Sequence, residues 1–175
     1  VHAPIYTPDR KTLRADGECV GLSPGQVGNS EVGHMTIGAG RTIQMNLPKI
    51  DNAIRDDSLK NNPTVLQFIE SLKKSSGVAH LAGLFSNGGV HAHQDHMIYL
   101  ANVIASAGIR VNLHLFLDGR DVSPKTALLD IRKLETVIHK YVQVSTLVGR
   151  FYAMDRDNRW ERVEKAYHLL VSGKG

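Results

Sequence analysis

The sequence predicts an α/β protein: a mostly parallel sheet with flanking helices, preceded by a loop-rich piece. Three observations predict it. Apolar runs of strand length recur at VAHLAGLFS (78–86), VNLHLFLD (111–118) and VSTLVG (144–149). Each is followed by a segment with helical spacing or a helical start signal, at 94–107, 124–140 and 158–172. Such alternation is the pattern of parallel strands, because a parallel pair needs a crossover long enough to bring the chain back.

The elements follow in order. Residues 1–48 read as loop, since Pro4, Pro8, Pro24, Pro48 and most of the clustered glycines fall there. Residues 49–60 and 63–75 read as helices, the second opening on Asn62 as cap and Pro63 at the first helical position, where a missing N–H costs nothing. Pro124 marks the start of the helix over 124–140. The last helix carries Trp160, Val163, Tyr167 and Leu170 at helical spacing, a stripe that reads as core. His80 and His114 alternate with apolar residues and read as interior or sheet-face histidines. His139 and His168 fall in helix patterns and read as helix-surface residues. There is no internal repeat or low-complexity tract.

Length and composition bound the function. The 175 residues suffice for one domain and part of a second. No apolar run reaches the eighteen or so residues of a membrane span, and VHAPIYTPDRK lacks the order of a signal peptide. The chain has no starting Met and is expected to begin partway through a longer protein. Its single cysteine, Cys19, cannot form an internal disulfide, which suits a reducing compartment; it reads as a small buried thiol. A net charge of +4, with 6% aromatics and no basic run, gives no sign of nucleic acid and suits a small anionic substrate.

Ligands of parallel sheets bind beyond the carboxyl ends of the strands. The loops there read SNGGVHAHQDH (86–96), DGRDVSP (118–124) and GRFYAMDRDNR (149–159). They bring His91, His93, His96, Arg120, Asp121, Arg150, Arg156 and Arg159 to one edge. Guanidinium groups fork onto phosphate and carboxylate oxygens, so arginines there would build a pocket for a small multiply charged anion.

Two further constellations stand out. GQVGNSEVGHMTIGAGR (25–41) places Ser30 in a glycine frame pliable enough for backbone to approach an oxyanion or ion. It is neither a nucleophile elbow nor a phosphate-cradling P-loop, and a plain turn is equally open. His91-x-His93-x-Asp95-His96 has spacing that could hold two zinc ions and resembles the metallo-β-lactamase superfamily. A non-catalytic anion-binding module is a third reading.

GQVGNSEVGHMTIGAGR, GGVHAH, FLDGRD and GRFYAMDRDNRWERV together resemble, in order, four blocks of cofactor-independent phosphoglycerate mutase, a family of the alkaline phosphatase superfamily. The resemblance runs from about residue 11 to the end. It implies a cytoplasmic glycolytic isomerase that interconverts 3-phosphoglycerate and 2-phosphoglycerate without 2,3-bisphosphoglycerate. It implies two divalent metal ions, manganese or similar, and a phosphoserine intermediate. Ser30 matches the nucleophile, which also touches a metal. His91, Arg120, Asp121, Arg150 and Arg156 match substrate-binding residues. Residues 1–45 match the end of the first phosphatase-domain segment and 46–175 part of the transferase domain. Most metal ligands of the family have no counterpart here, and Asp9 and Asp16 sit in the wrong context to serve. The full-length enzyme is expected to be a monomer. The chain alone is expected to self-associate and to lack mutase activity; isomerisation by it, abolished by Ser30→Ala, would overturn that.

Overall fold

The computed structural model describes residues 12–175; Pro4, Pro8 and Asp9 lie outside them. The chain divides into two compact units, Val1–Lys49 and Ile50–Gly175.

The first unit holds a 3-10 turn at Gly17–Val20, helix α1 (Ser30–Ala39) and the start of α2 (Asn46–Arg55). Helix α1 corrects the expectation of loop and of a pliable frame. The Asn29 side chain accepts the Val32 N–H at 3.1 Å, so it caps the helix, and Gly40 at φ 63° ends it. This outweighs Gly33 and Gly38, each of which costs about 1 kcal/mol against Ala in a helix interior. Gly28 is required by close approach: a Cβ there would lie 1.7 Å from the Ala15 carbonyl oxygen. Cys19, expected to be buried, is exposed, because the 3-10 turn buries Gly17 and Val20 instead.

The second unit contains α3 (Pro63–Ser75), β1 (Ala79–Phe85), α4 (Gln94–Ser106), β2 (Val111–Leu117), α5 (Ala127–Val137), β3 (Val142–Gly149), α6 (Arg150–Ala153) and α7 (Trp160–Ser172). The strands are parallel in the order β1-β2-β3. Register aligns Phe85 with Leu117 and Leu117 with Gly149, so all three strands end level and release their loops along one edge. Alternate residues of β2 (Val111, Leu113 and Leu115) are fully buried on one face against Ala101, Ile104 and Ala105 of α4, Ile69 of α3 and Leu134 of α5. Among the described residues no helix is long and apolar enough to cross a membrane.

Several helix ends differ from expectation, each for a local reason. Helix α2 stops at Arg55, where Asp57 takes a left-handed φ of 61° and the Asp56 carboxylate accepts the Ser58 N–H. Helix α5 starts after Pro124 because Lys125 has φ 76°. It stops at Val137, where Asn102 of α4 donates to the Val137 carbonyl and accepts the His139 N–H. His139 is therefore a half-buried loop residue, not a helix-surface one. The expected stripe of α7 is also corrected: Trp160 is 70% and Tyr167 57% exposed, while Ala166 is buried. The inward face is rotated toward Arg162, Val163 and Ala166, because Arg162 pairs with Asp155 and lies over the Phe151 ring.

His80 and His114 lie on the sheet face opposite the core. His80 Nδ1 is 2.9 Å from His114 Nε2, and His114 Nδ1 is 2.9 Å from Thr146 Oγ1, a chain across three strands. Burial, and then the charge of His80, lower the His114 pKa. The unfolded chain therefore binds this proton more readily. Stability from this site is complete above about pH 6.5 and is lost as pH falls from there through the folded value. Urea unfolding between pH 5 and 8 is expected to show this slope and His114→Asn to remove it; an unchanged slope in the variant contradicts the assignment.

Candidate functional site

The level strand ends place three loops around a cavity of about 810 Å³ in the second unit, within the range of small-molecule sites. His91 from the loop after β1, Arg120 from the loop after β2, and Arg150 and Arg156 from the segment after β3 all line it. The structure thus brings four of the sequence-predicted residues to one cavity. Asp121 adjoins the cavity, its Oδ2 bonded to Arg150 Nη1 and 3.8 Å from His91 Nε2, both of which line it. Ser30 belongs to the first unit.

The cations fall into two kinds. Arg150 is largely buried, and its Nη1 donates to Asp118 Oδ1 at 3.0 Å as well as to Asp121. Its charge is balanced by two carboxylates. Arg120 and Arg156 line the cavity, and their exposed side chains form no hydrogen bond or ion pair with any described residue. Arg159, also expected at this edge, instead gives its backbone N–H to Asp155.

Two carboxylates missed by the sequence reading hold the loops. The Asp118 side chain is 2% exposed. Its Oδ1 accepts the N–H groups of Gly119, Arg120 and Asp121 at 2.7, 2.9 and 3.2 Å, and its Oδ2 accepts the Ser86 hydroxyl at 2.7 Å. Burial opposes its ionisation. The amide of Arg120, the Ser86 hydroxyl, the amide of Gly119 and the Arg150 guanidinium outweigh burial and hold the carboxyl far below the usual range. Asp155, also 2% exposed, accepts from the Asp157 and Arg159 amides and pairs with Arg162 at 3.0 Å. The Arg159 amide does most to lower its pKa, against the cost of burial. In FLDGRD nothing but backbone geometry tells the organising Asp118 from Asp121.

The two-zinc reading is corrected. Among the described residues no three His, Cys, Asp or Glu side chains stand together to hold a metal. His93 Nδ1 accepts the Asp95 N–H at the start of α4, His96 Nε2 is 2.6 Å from Asp51, and His91 faces Asp121. The onset of α4 at Gln94 turns these rings to different partners.

Ser30 occupies the first turn of α1 and is exposed. His34, one turn on, has Nδ1 2.6 Å from the Ser30 carbonyl oxygen and 3.2 Å from its hydroxyl. A carbonyl only accepts, so Nδ1 carries the proton and cannot act as base toward that hydroxyl.

Comparison with known proteins agrees with this architecture. Residues 50–175 match the family described as BPG-independent PGAM N-terminus (iPGM_N). The chain is 51% identical over 163 residues to a 2,3-bisphosphoglycerate-independent phosphoglycerate mutase of Gluconobacter oxydans, covering 93% of this chain and 32% of that protein. It is 51% identical over 171 residues to the protein of the same name in Dinoroseobacter shibae, covering 98% and 34%. A crystal structure of Leishmania mexicana phosphoglycerate mutase at low cobalt concentration superposes with a TM-score of 0.79 at 30% identity, over 94% of this chain and 32% of that one. The chain spans about a third of the length of the curated relatives it matches. With the match covering the whole of the second unit, the chain belongs to the BPG-independent phosphoglycerate mutase N-terminus family.

Proposed function

We propose that the chain is the substrate-holding part of a cofactor-independent phosphoglycerate mutase, together with the segment that bears its nucleophilic serine. The observation that carries this is the meeting of His91, Arg120, Arg150 and Arg156 at one cavity. The family match and the names of the relatives support it. The substrates are 3-phosphoglycerate and 2-phosphoglycerate, and 2,3-bisphosphoglycerate is not required. Residues 1–45 are the end of the first phosphatase segment and 46–175 part of the transferase domain. The setting is cytoplasmic glycolysis.

The residues divide the work by chemistry. Arg120 and Arg156 supply uncompensated charge to the carboxylate and phosphate. His91 contacts the phosphoglycerate at the rim. Arg150 fixes Asp121, whose other oxygen orients a glycerate hydroxyl. The Ser30 oxygen displaces the glycerate oxygen from phosphorus, the serine proton ending on the freed glycerate oxygen; the neighbouring glycerate hydroxyl then displaces the serine oxygen from phosphorus and gives it back a proton. Isomerisation requires the glycerate to stay bound between the two transfers, which is the task of the arginines. Two divalent ions belong to this reading, and the Leishmania mexicana relative was studied with cobalt. The described residues form no cluster that fits a metal, so no step here runs through one.

Calorimetric titration of the chain with 3-phosphoglycerate tests the reading. Arg120→Ala and Arg156→Ala are each expected to weaken binding by roughly tenfold, the scale of one lost charge-assisted contact, and added salt to weaken it further. Binding no tighter than that of sulfate, or indifferent to both substitutions, contradicts the reading.

A further inference from the structure

We infer that Asp118 is the positioning residue that locks the three strand-end loops into one anion-selective cavity; the inference rests on the reading of that cavity as the phosphoglycerate site. Asp118 follows β2, the central strand. Its Oδ2 accepts from Ser86, the residue after β1, and the Ser86 oxygen in turn accepts the Gly88 N–H at 3.1 Å. Its Oδ1 accepts from Arg150, the residue after β3, and from the backbone of Gly119, Arg120 and Asp121. One carboxylate therefore reaches the first residues beyond all three strands.

The packing leaves no slack around it. Ser86 is 2% exposed, and a Cβ on Gly88 would lie 3.1 Å from Val122 and 3.4 Å from the Asp121 carbonyl oxygen. Movement at the β2 end is thus transmitted to the segment that carries His91. The arrangement also decides which cations bind ligand. Arg120 has its backbone fixed by Asp118 while its side chain stays unpaired, and Arg150 has its charge absorbed by Asp118 and Asp121. Selectivity follows: two free guanidinium groups carried on anchored loops fit an anion with two separated charged ends better than a single phosphate. Without the Asp118 charge, Arg150 keeps one carboxylate, Asp121, in place of two, and the loop before Arg120 loses its anchor; the added net positive charge favours any anion.

The experiment uses the 175-residue chain and two variants, Asp118→Asn and Ser86→Ala, with 3-phosphoglycerate and inorganic phosphate as probes. Asp118→Asn keeps the shape and removes the charge. The ratio of 3-phosphoglycerate to phosphate affinity is expected to fall at least about tenfold, with phosphate affinity kept or raised. Amide hydrogen exchange is expected to quicken at Gly88 and at 119–121 while β2 stays protected. Ser86→Ala keeps the charge, so it should quicken exchange at Gly88 and lower the ratio less; it carries the test if Asp118→Asn does not fold. Variants with ratio and exchange both within twofold of the parent overturn the inference. If the parent chain itself shows no preference for 3-phosphoglycerate, the substrate reading fails, and exchange at Gly88 and 119–121 alone upholds or overturns the role of Asp118.

Discussion

Ser30→Ala is expected to abolish mutase turnover, by about 10⁴-fold or more, in a chimera where this chain replaces the matched third of the Gluconobacter oxydans mutase. The loss should come without loss of fold. Asn29, not Ser30, caps α1, and the Ser30 hydroxyl is exposed and lies 3.2 Å from His34 Nδ1. Alanine is the strongest helix former, so the helix should hold or gain slightly. Circular dichroism and turnover of the two chimeras together check this. Turnover within tenfold of the parent removes Ser30 from the chemistry. Equal loss of fold and activity shows a structural role instead.

The second large effect is on stability. Leu134→Ala is expected to cost about 2–5 kcal/mol, the range for a buried leucine whose cavity cannot collapse. Leu134 is fully buried, whereas Leu128, Leu129 and Val137 on the same helix are 58%, 66% and 46% exposed. Leu134 is thus the one fully buried side chain of helix α5. Urea unfolding of the variant measures the cost, and Leu129→Ala serves as control, with an expected change within about 0.5 kcal/mol. Similar losses in both variants would show that α5 is held by something other than the Leu134 contact.

These contrasts show which parts of the molecule local sequence could specify. The strands were legible because β1 and β2 are mostly apolar runs of strand length, and α3 because Asn62 and Pro63 form a start signal that depends on no distant residue. The convergence of His91, Arg120, Arg150 and Arg156 was legible because parallel strands that end level leave their loops one edge to occupy. Helix α1 was hidden by its glycines, since its side-chain cap is a single hydrogen bond, from the Val32 N–H to Asn29. The face of α7 was hidden because Arg162, polar in any pattern, is drawn inward by Asp155 and Phe151. The roles of Asp118 and Ser86 were hidden for a related reason: they are set by backbone N–H groups and by a strand neighbour more than thirty positions away in sequence.

The convergence of free guanidinium groups on one phosphorylated acid is tested most directly by NMR titration of the chain with 3-phosphoglycerate, observing arginine Nε–H and histidine ring signals. Saturable shifts are expected at Arg120, Arg156 and His91, with smaller ones at Arg150, whose Nη1 stays on Asp118 and Asp121, and none at Arg110, near the opposite end of the sheet. Shifts spread evenly over all arginines, or absent at Arg120 and Arg156, would contradict the account.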